Sequence, residues 1–275
     1  MIWYAPNYRE KADRLIAAGP ERLHIITDFD RTLTAGLAAG EKAPTTYQNL
    51  RNSGLLPEEC RIRGNELYEK YYPIEVSDLP WEEKNAKMIE WWRLFLEAMI
   101  EYGLTKQMLE TLKDTKPLQW RRGAREFLRE ADRAGIPLLI FSAGLGDLIR
   151  MYLEKEGLMS DTIHIISNHF RFDDSGKVLG YAADPVHSLN KTEQLIRGTD
   201  FAEEIERRPY AMLLGDIIED AGMAKGQHHQ EIVRFGFCNH AVEKRLADFQ
   251  KHFDVIITGD GAIAPVRELL RSIVR

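Results

Sequence analysis

The stretch from Leu23 to Thr34 constrains this chain more than any other. Its apolar run, Leu23-His24-Ile25-Ile26-Thr27, predicts a buried strand, and the run stops at Asp28-Phe29-Asp30-Arg31-Thr32. Two carboxylates two residues apart project to the same side of an extended chain. Ionised acids that close repel and resist desolvation, so their site has to supply a cation, a shared proton or open water. A hard divalent cation such as Mg²⁺ meets that need, because it takes a few oxygens from protein and the rest from water or a phosphate. The alternative is a surface turn after a strand, since Asp and Thr also suit turns.

The rest of the pattern decides where such a strand sits. Residues 8 to 19 read as an amphipathic helix ending at Gly19-Pro20. Loop residues follow Thr34, and from about 45 to 117 no interior strand is evident, only helix-period segments such as Glu58 to Tyr71 and Trp81 to Tyr102. Trp91, Trp92, Phe95, Met99 and Tyr102 give the second segment a broad apolar face. Bundle packing explains it, and a stacking surface for a planar ligand, with Tyr71 or Tyr72, is the alternative.

From residue 118 strands and helices alternate. A helix at about 121 to 134 leads to a strand at 136 to 141, a helix to Gly157, a strand at 162 to 167 and a hairpin around Asp173 to Gly176. A helix is expected after Asn190-Lys191, then strands at 210 to 214, 231 to 237 and 254 to 258. The expectation is an α/β fold: a parallel Rossmann-like sheet from residues 1–39 and 118–275, interrupted by a helical-bundle cap at 40–117.

Composition narrows the function. A length of 275 residues suffices for a full core, and 44% hydrophobic with 29% charged residues is the balance of a globular chain. The net charge of −6 argues against nucleic acid bound on a broad basic face, while leaving room for a local cationic pocket. Cys60 and Cys238 have no metal-ligand spacing and form no disulfide framework. The first residues lack a signal-peptide pattern, and no apolar run approaches the ~18 residues of a spanning helix, so a cytoplasmic protein with no membrane partner is expected. The sequence sets no oligomeric state, and a monomer satisfies it.

Four stretches fall just beyond predicted strands, where open α/β sheets build their sites. They are Asp28 to Thr32, Phe141-Ser142-Ala143-Gly144, Asn190-Lys191, and Gly215-Asp216 through Asp220. Together they supply two acidic pairs, a hydroxyl and a lysine. Asp216 and Asp220 share one face if a helix has begun there.

These four motifs, in this order, resemble the haloacid dehalogenase-like phosphohydrolases. The chain is more closely similar to the cytosolic 5′-nucleotidase III (pyrimidine 5′-nucleotidase) family. That likeness rests on Ile26 to Leu33, Tyr71-Tyr72 with Glu75, Glu83-Lys84 with Met88, Glu90 and Trp91, and Ile136-Pro137 with Ser142 to Asp147. It also includes Phe172-Asp173 with Gly176, Asn190-Lys191, and Leu214-Gly215-Asp216 with Asp220, Met223 and Ala224.

The resemblance implies a Mg²⁺-dependent 5′-nucleotidase acting on pyrimidine nucleoside monophosphates, with no partner beyond that small substrate. Asp28 would be the nucleophile and Asp30 the general acid and base. Mg²⁺ would bind Asp28, the Asp30 carbonyl and Asp216, while Lys191, Ser142 and the Ala143 N–H would hold the phosphoryl oxygens. Asp220 would orient Lys191 or a metal-bound water, and Glu75 on the cap would contact the base. Phe95 and Ile217 depart from the family pattern and bear on base selectivity. Other readings are a related phosphatase for phosphoserine or 7-methylguanosine monophosphate, a silent nucleotide-binding relative, and phosphotransfer to a nucleoside hydroxyl. Gly144-Leu145-Gly146 is only a partial dinucleotide fingerprint, so no nicotinamide cofactor is assigned. His228, His229, His240 and His252 show no zinc spacing and read as surface or packing residues.

Overall fold

In a computed structural model describing residues 1–275, the chain opens with an edge strand, β1 (Ile2–Tyr4), and a helix, α1 (Tyr8–Ala18). It then enters β2 (Leu23–Thr27), buried along its whole length as expected. A small hairpin, β3 (Leu37–Ala38) and β4 (Glu41–Lys42), precedes four helices with no strand between them. These are α2 (Thr46–Arg51), α3 (Glu58–Glu75), α4 (Trp81–Glu101) and α5 (Lys106–Thr115). Thr45 starts α2 with a capping box: its hydroxyl accepts from Gln48 N–H and the Gln48 side chain returns to the Thr45 N–H.

The chain then alternates through α6 (Ala124–Arg133), β5 (Leu138–Leu145), α7 (Gly146–Lys155) and β6 (Ile163–Asn168). The expected hairpin follows as β7 (Phe170–Phe172) and β8 (Val178–Tyr181). Last come α8 (Ala202–Glu206), β9 (Tyr210–Gly215), β10 (Glu231–Cys238), α9 (Val242–His252), β11 (Val255–Thr258) and α10 (Ala264–Val274).

Seven strands form one sheet in the order β1-β11-β10-β9-β2-β5-β6, and only β1 runs antiparallel to its neighbour. Both faces are covered. Ile25 and Ile26, adjacent on β2, enter opposite cores, one with Leu15, Phe127 and Leu270, the other with Ile196, Met223 and Phe249. Each such buried side chain contributes about 1.5–3 kcal/mol. The four helices have a third core, built on Tyr71, Met88, Phe95 and Leu109, which continues into Tyr152 of α7 and Phe170 and Val178 of the hairpin.

Two local details differ from expectation. β5 does not stop at Phe141: it runs to Leu145, with a register shift against β6 between those residues that leaves Ser142 to Gly144 out of the paired ladder. After Lys191 there is no long helix, only a 3₁₀ turn at Glu193–Ile196 and the short α8. That segment spends its polar groups on tertiary partners: Glu193 N–H donates to the Met223 carbonyl, and the Glu193 carboxylate is buried against His24 and His229.

Candidate active site

β2 and β9 are paired neighbours, and Asp28 and Asp216 are the residues that leave their carboxyl ends. Both are buried, at 5% and 6% exposure. One carboxylate oxygen from each of them and one from Asp220 lie within 4.8 Å of one another. Lys191 enters this acidic group from the segment after β8, with Nζ 2.8 Å from Asp28 Oδ1 and 2.7 Å from Asp220 Oδ1. Three of the four stretches singled out in the sequence, those of Asp28, Lys191 and Asp216 with Asp220, are thus brought together.

Asp220 lies on a 3₁₀ turn (Ile218–Gly222) and not on an α-helix. Its Oδ2 accepts from the N–H groups of Asp216 and Ile217, which closes the turn and aims Oδ1 at Lys191. A side chain on Gly215 would come within 2.2 Å of Asp220 Cβ, so this tight return needs glycine there.

Asp30 is held by a residue that the sequence did not single out. Thr46, the first residue of α2, donates its N–H to Asp30 Oδ1 and its hydroxyl to Oδ2, both at 2.9 Å. Gly144 lies against the same pair: a Cβ there would sit 2.3 Å from Thr46 Oγ1 and 3.0 Å from Asp30 Oδ2. No spacing in the chain announces Thr46. The capping pattern at Thr45 and Gln48 marks a helix start, but the contact to Asp30 exists only after folding.

The turn after Asp30 is strained and braced. Arg31 adopts φ 64°, unusual for a residue with a side chain. Its carbonyl accepts from Asn239 Nδ2 at 3.0 Å and from the buried Arg121 guanidinium, which also reaches the Thr32 carbonyl at 2.6 Å and the Asn239 side chain at 2.9 Å.

Three carboxylates against one ammonium make the site electrostatically expensive. Burial pushes Asp28 well above the usual carboxylate range, Lys191 opposes that, and Asp220 and Asp216 add to it. Burial also raises Asp216, to about 6, and raises Asp30 against the two Thr46 hydrogen bonds. Lys191 is held above its ordinary value by Asp220 and Asp28, although burial alone would lower it. The Asp216 carboxylate and the Asp30 carbonyl receive no hydrogen bond from the chain. Uncommitted hard oxygens beside a surplus of negative charge fit a hard divalent cation.

A cavity of about 180 Å³ opens over these groups, bounded by Arg31, Tyr47, Trp92, Ser142, Ser188 and Ile217 as well as the acids. Ser142 Oγ accepts from Gly144 N–H at 3.0 Å, and Ala143 lines the opening beside it. Glu75 does not line it: its carboxylate accepts from Ser188 Oγ at 2.6 Å and is raised by burial against that hydrogen bond. Phe95 is buried behind the wall, packed edge-on to Trp92 and Tyr47. Tyr71 stacks on Trp91 within the helices, with its hydroxyl on Glu90, so the cavity's aromatics are Tyr47 and Trp92 and not the Tyr71–Tyr72 pair.

Comparison with known proteins places the chain in a family. Residues 31–274 match the family model described as pyrimidine 5′-nucleotidase (UMPH-1). The 7-methylguanosine phosphate-specific 5′-nucleotidase A of Xenopus laevis is 32% identical over 267 residues, covering 96% of this chain and 92% of that protein. The protein of the same specificity from Homo sapiens is 31% identical over 268 residues, covering 96% and 89%. The crystal structure of cytosolic 5′-nucleotidase IIIB bound to cytidine superposes with a TM-score of 0.86 at 28% identity, covering 99% of this chain and 93% of that one. A HAD family hydrolase from Salmonella enterica, at 14% identity and a TM-score of 0.58, shares the fold alone. With a family model spanning nearly the whole sequence and relatives matched along most of their own length, the chain belongs to the pyrimidine 5′-nucleotidase family of HAD-like phosphoric monoester hydrolases.

Proposed function

We propose that this chain is a cytosolic, Mg²⁺-dependent 5′-nucleotidase that hydrolyses nucleoside 5′-monophosphates through an aspartyl-phosphate on Asp28. The observation that carries this reading is the convergence of Asp28, Lys191 and Asp216 under a small cavity at the carboxyl ends of β2 and β9. Asp28 Oδ1 is paired with Lys191 and Oδ2 is uncommitted, so Oδ2 attacks phosphorus. As that bond forms, the bond from phosphorus to the ribose 5′-oxygen breaks, and Asp30 gives the leaving oxygen its proton. Water then attacks the same phosphorus, Asp30 takes the water's proton, and the acyl-phosphate bond breaks to release phosphate. Proton transfer of this kind is worth about 10²- to 10⁴-fold, and the two Thr46 hydrogen bonds fix the carboxyl that performs it.

The phosphoryl oxygens face Lys191, the Ser142 hydroxyl and the backbone at Ala143. Asp28, the Asp30 carbonyl and Asp216 would hold Mg²⁺, which when bound offsets the repulsion between a carboxylate and an anionic phosphate. We further propose that helices α2 to α5 act as a cap, with Tyr47 and Trp92 against the base and Glu75 acting on it by way of Ser188, whose side chain it holds at the cavity wall.

For the base, two substrates merit direct comparison. Pyrimidine monophosphates follow from the family, while the cationic ring of 7-methylguanosine suits aromatic faces beside a carboxylate, and two of the most similar relatives carry that specificity in their names. The test is phosphate release from cytidine, uridine, guanosine and 7-methylguanosine monophosphates, phosphoserine and a sugar phosphate, each with Mg²⁺ and with chelator. Nucleotides are expected to lead, with activity lost in chelator. Efficient turnover of phosphoserine without turnover of the nucleotides would refute the assignment.

A further inference from the structure

A second set of metal-ligating side chains converges away from the aspartates. His24 lies on β2, four residues of extended chain, about 13 Å, before Asp28. It is 1% exposed. Glu193, two residues after Lys191, is fully buried, and His229 is on the segment leading into β10. His24 Nε2 is 2.9 Å from Glu193 Oε1, and His229 Nε2 is 3.1 Å from Glu193 Oε2. The ligating atoms of all three lie within 4.8 Å of one another.

The positions of the protons set this apart from an ordinary buried hydrogen-bond network. His24 Nδ1 lies 2.8 Å from the Arg208 carbonyl oxygen. A carbonyl only accepts, so Nδ1 carries a proton, and the neutral ring then turns the lone pair of Nε2 toward a carboxylate oxygen. Two acceptors face each other unless a cation lies between them or the ring takes a second proton. At the other oxygen, His229 Nε2 and Glu193 Oε2 are both buried and out of hydrogen-bond alignment despite their 3.1 Å approach. No lysine or arginine pairs with Glu193. An N–H donated from one ring nitrogen to a carbonyl, with the other nitrogen aimed inward, is how metal-binding histidines are oriented.

We propose that His24, Glu193 and His229 bind one divalent transition metal ion, zinc in the first instance, with water completing the shell. Two imidazole nitrogens and a carboxylate oxygen suit zinc far better than Mg²⁺. Ligands at about 2.0 Å from a tetrahedral zinc stand about 3.3 Å apart, close to the 2.9 and 3.1 Å between each histidine and Glu193. The ion would join β2, the segment carrying Lys191 and the lead into β10 at one point, and so brace Lys191 from behind. Its ligands are dispersed at 24, 193 and 229, which is why no spacing in the sequence reveals it.

The test uses the full chain, stripped with chelator and titrated with Zn²⁺ in excess Mg²⁺ by calorimetry, with Co²⁺ absorption as a reporter of ligand type. One equivalent of zinc is expected to bind without displacement by Mg²⁺, to raise the melting temperature, and to give the Co²⁺ spectrum of a low-coordinate imidazole site. His229→Gln is expected to weaken zinc by at least about 100-fold while melting in chelator as the parent does, and Asp216→Asn is expected to bind zinc as the parent does. Histidine ring resonances of the unmodified chain give a readout that needs no variant, and two of them are expected to shift on adding zinc. Absence of a zinc equivalent, unshifted histidines, or zinc binding lost with Asp216→Asn and retained with His229→Gln would each overturn the proposal.

Discussion

Asp28 has one oxygen on Lys191 and the other uncommitted, inside a site whose negative charge is incompletely offset. That arrangement favours reaction at the expense of stability, because a buried carboxylate above its usual pKa destabilises the fold whenever it is ionised. Asp28→Asn keeps the shape, removes the charge and leaves Lys191 paired with Asp220. Single-turnover phosphate release is expected to fall by at least about 10³-fold, with a melting temperature equal to or above the parent's. Unchanged release would remove the nucleophile assignment, and a large loss of stability would mean that the Asp28–Lys191 pair contributes more than its burial costs. Residues of this kind are legible in sequence because strand-end acids are conspicuous after an apolar run. Thr46 is not, since its hold on Asp30 depends on where the first turn of α2 docks.

Among elements, the segment from Val186 to Lys191 carries the lysine that pairs with Asp28 and Asp220 and contains a histidine that resists protonation. His187 is fully buried; its Nδ1 accepts from Leu189 N–H at 3.3 Å, and its Nε2 has no partner. Burial lowers it, and Lys191 lowers it further, from 6.5 to about 4. Between those values the unfolded chain binds a proton here that the folded chain does not, so stability rises with pH across the window and is lost as pH falls from 6.5 toward 4. The full effect is up to about 3 kcal/mol. Asp216, raised from 3.8 to about 6, acts in the opposite sense, since its folded form binds the extra proton and loses that stabilisation as pH rises. The variant is therefore compared with its parent at each pH: urea midpoints at pH 7 and pH 5 are expected to show His187→Gln losing less stability on acidification by about 2 kcal/mol. Equal losses would mean that His187 is accessible to protons in the folded state. The strands flanking this segment were readable from their apolar runs, whereas the 3₁₀ turn in place of a helix and the extension of β5 past Phe141 were not. Both depend on hydrogen bonds to distant partners, Met223 for Glu193 and a shifted β6 register for Ser142 to Gly144.

At the scale of the molecule, the sheet and the four helices meet across the cavity, and one polar contact there links the end of α3 to the segment that carries Lys191. Glu75, at the end of α3, accepts from Ser188, three residues before Lys191 on the core side. The alternation of strands and helices made this architecture legible, because parallel strands buried on both faces must be continuous apolar runs. The face of α4 that meets the cavity was not legible, since Trp91 and Trp92 are adjacent and equally apolar, and only docking separates the one that stacks on Tyr71 from the one that lines the opening. Glu75→Gln tests the joint. Glutamine keeps an acceptor for Ser188, so the contact between helices and core persists while the charge is lost. If Glu75 recognises the base, kcat/KM for the preferred nucleotide is expected to fall about 10- to 100-fold, the worth of a hydrogen bond to a charged group, while hydrolysis of p-nitrophenyl phosphate, which has no base, is unchanged. A parallel fall for both substrates would assign Glu75 to closure of the helices over the phosphate and not to recognition, and no fall for either would remove it from the site.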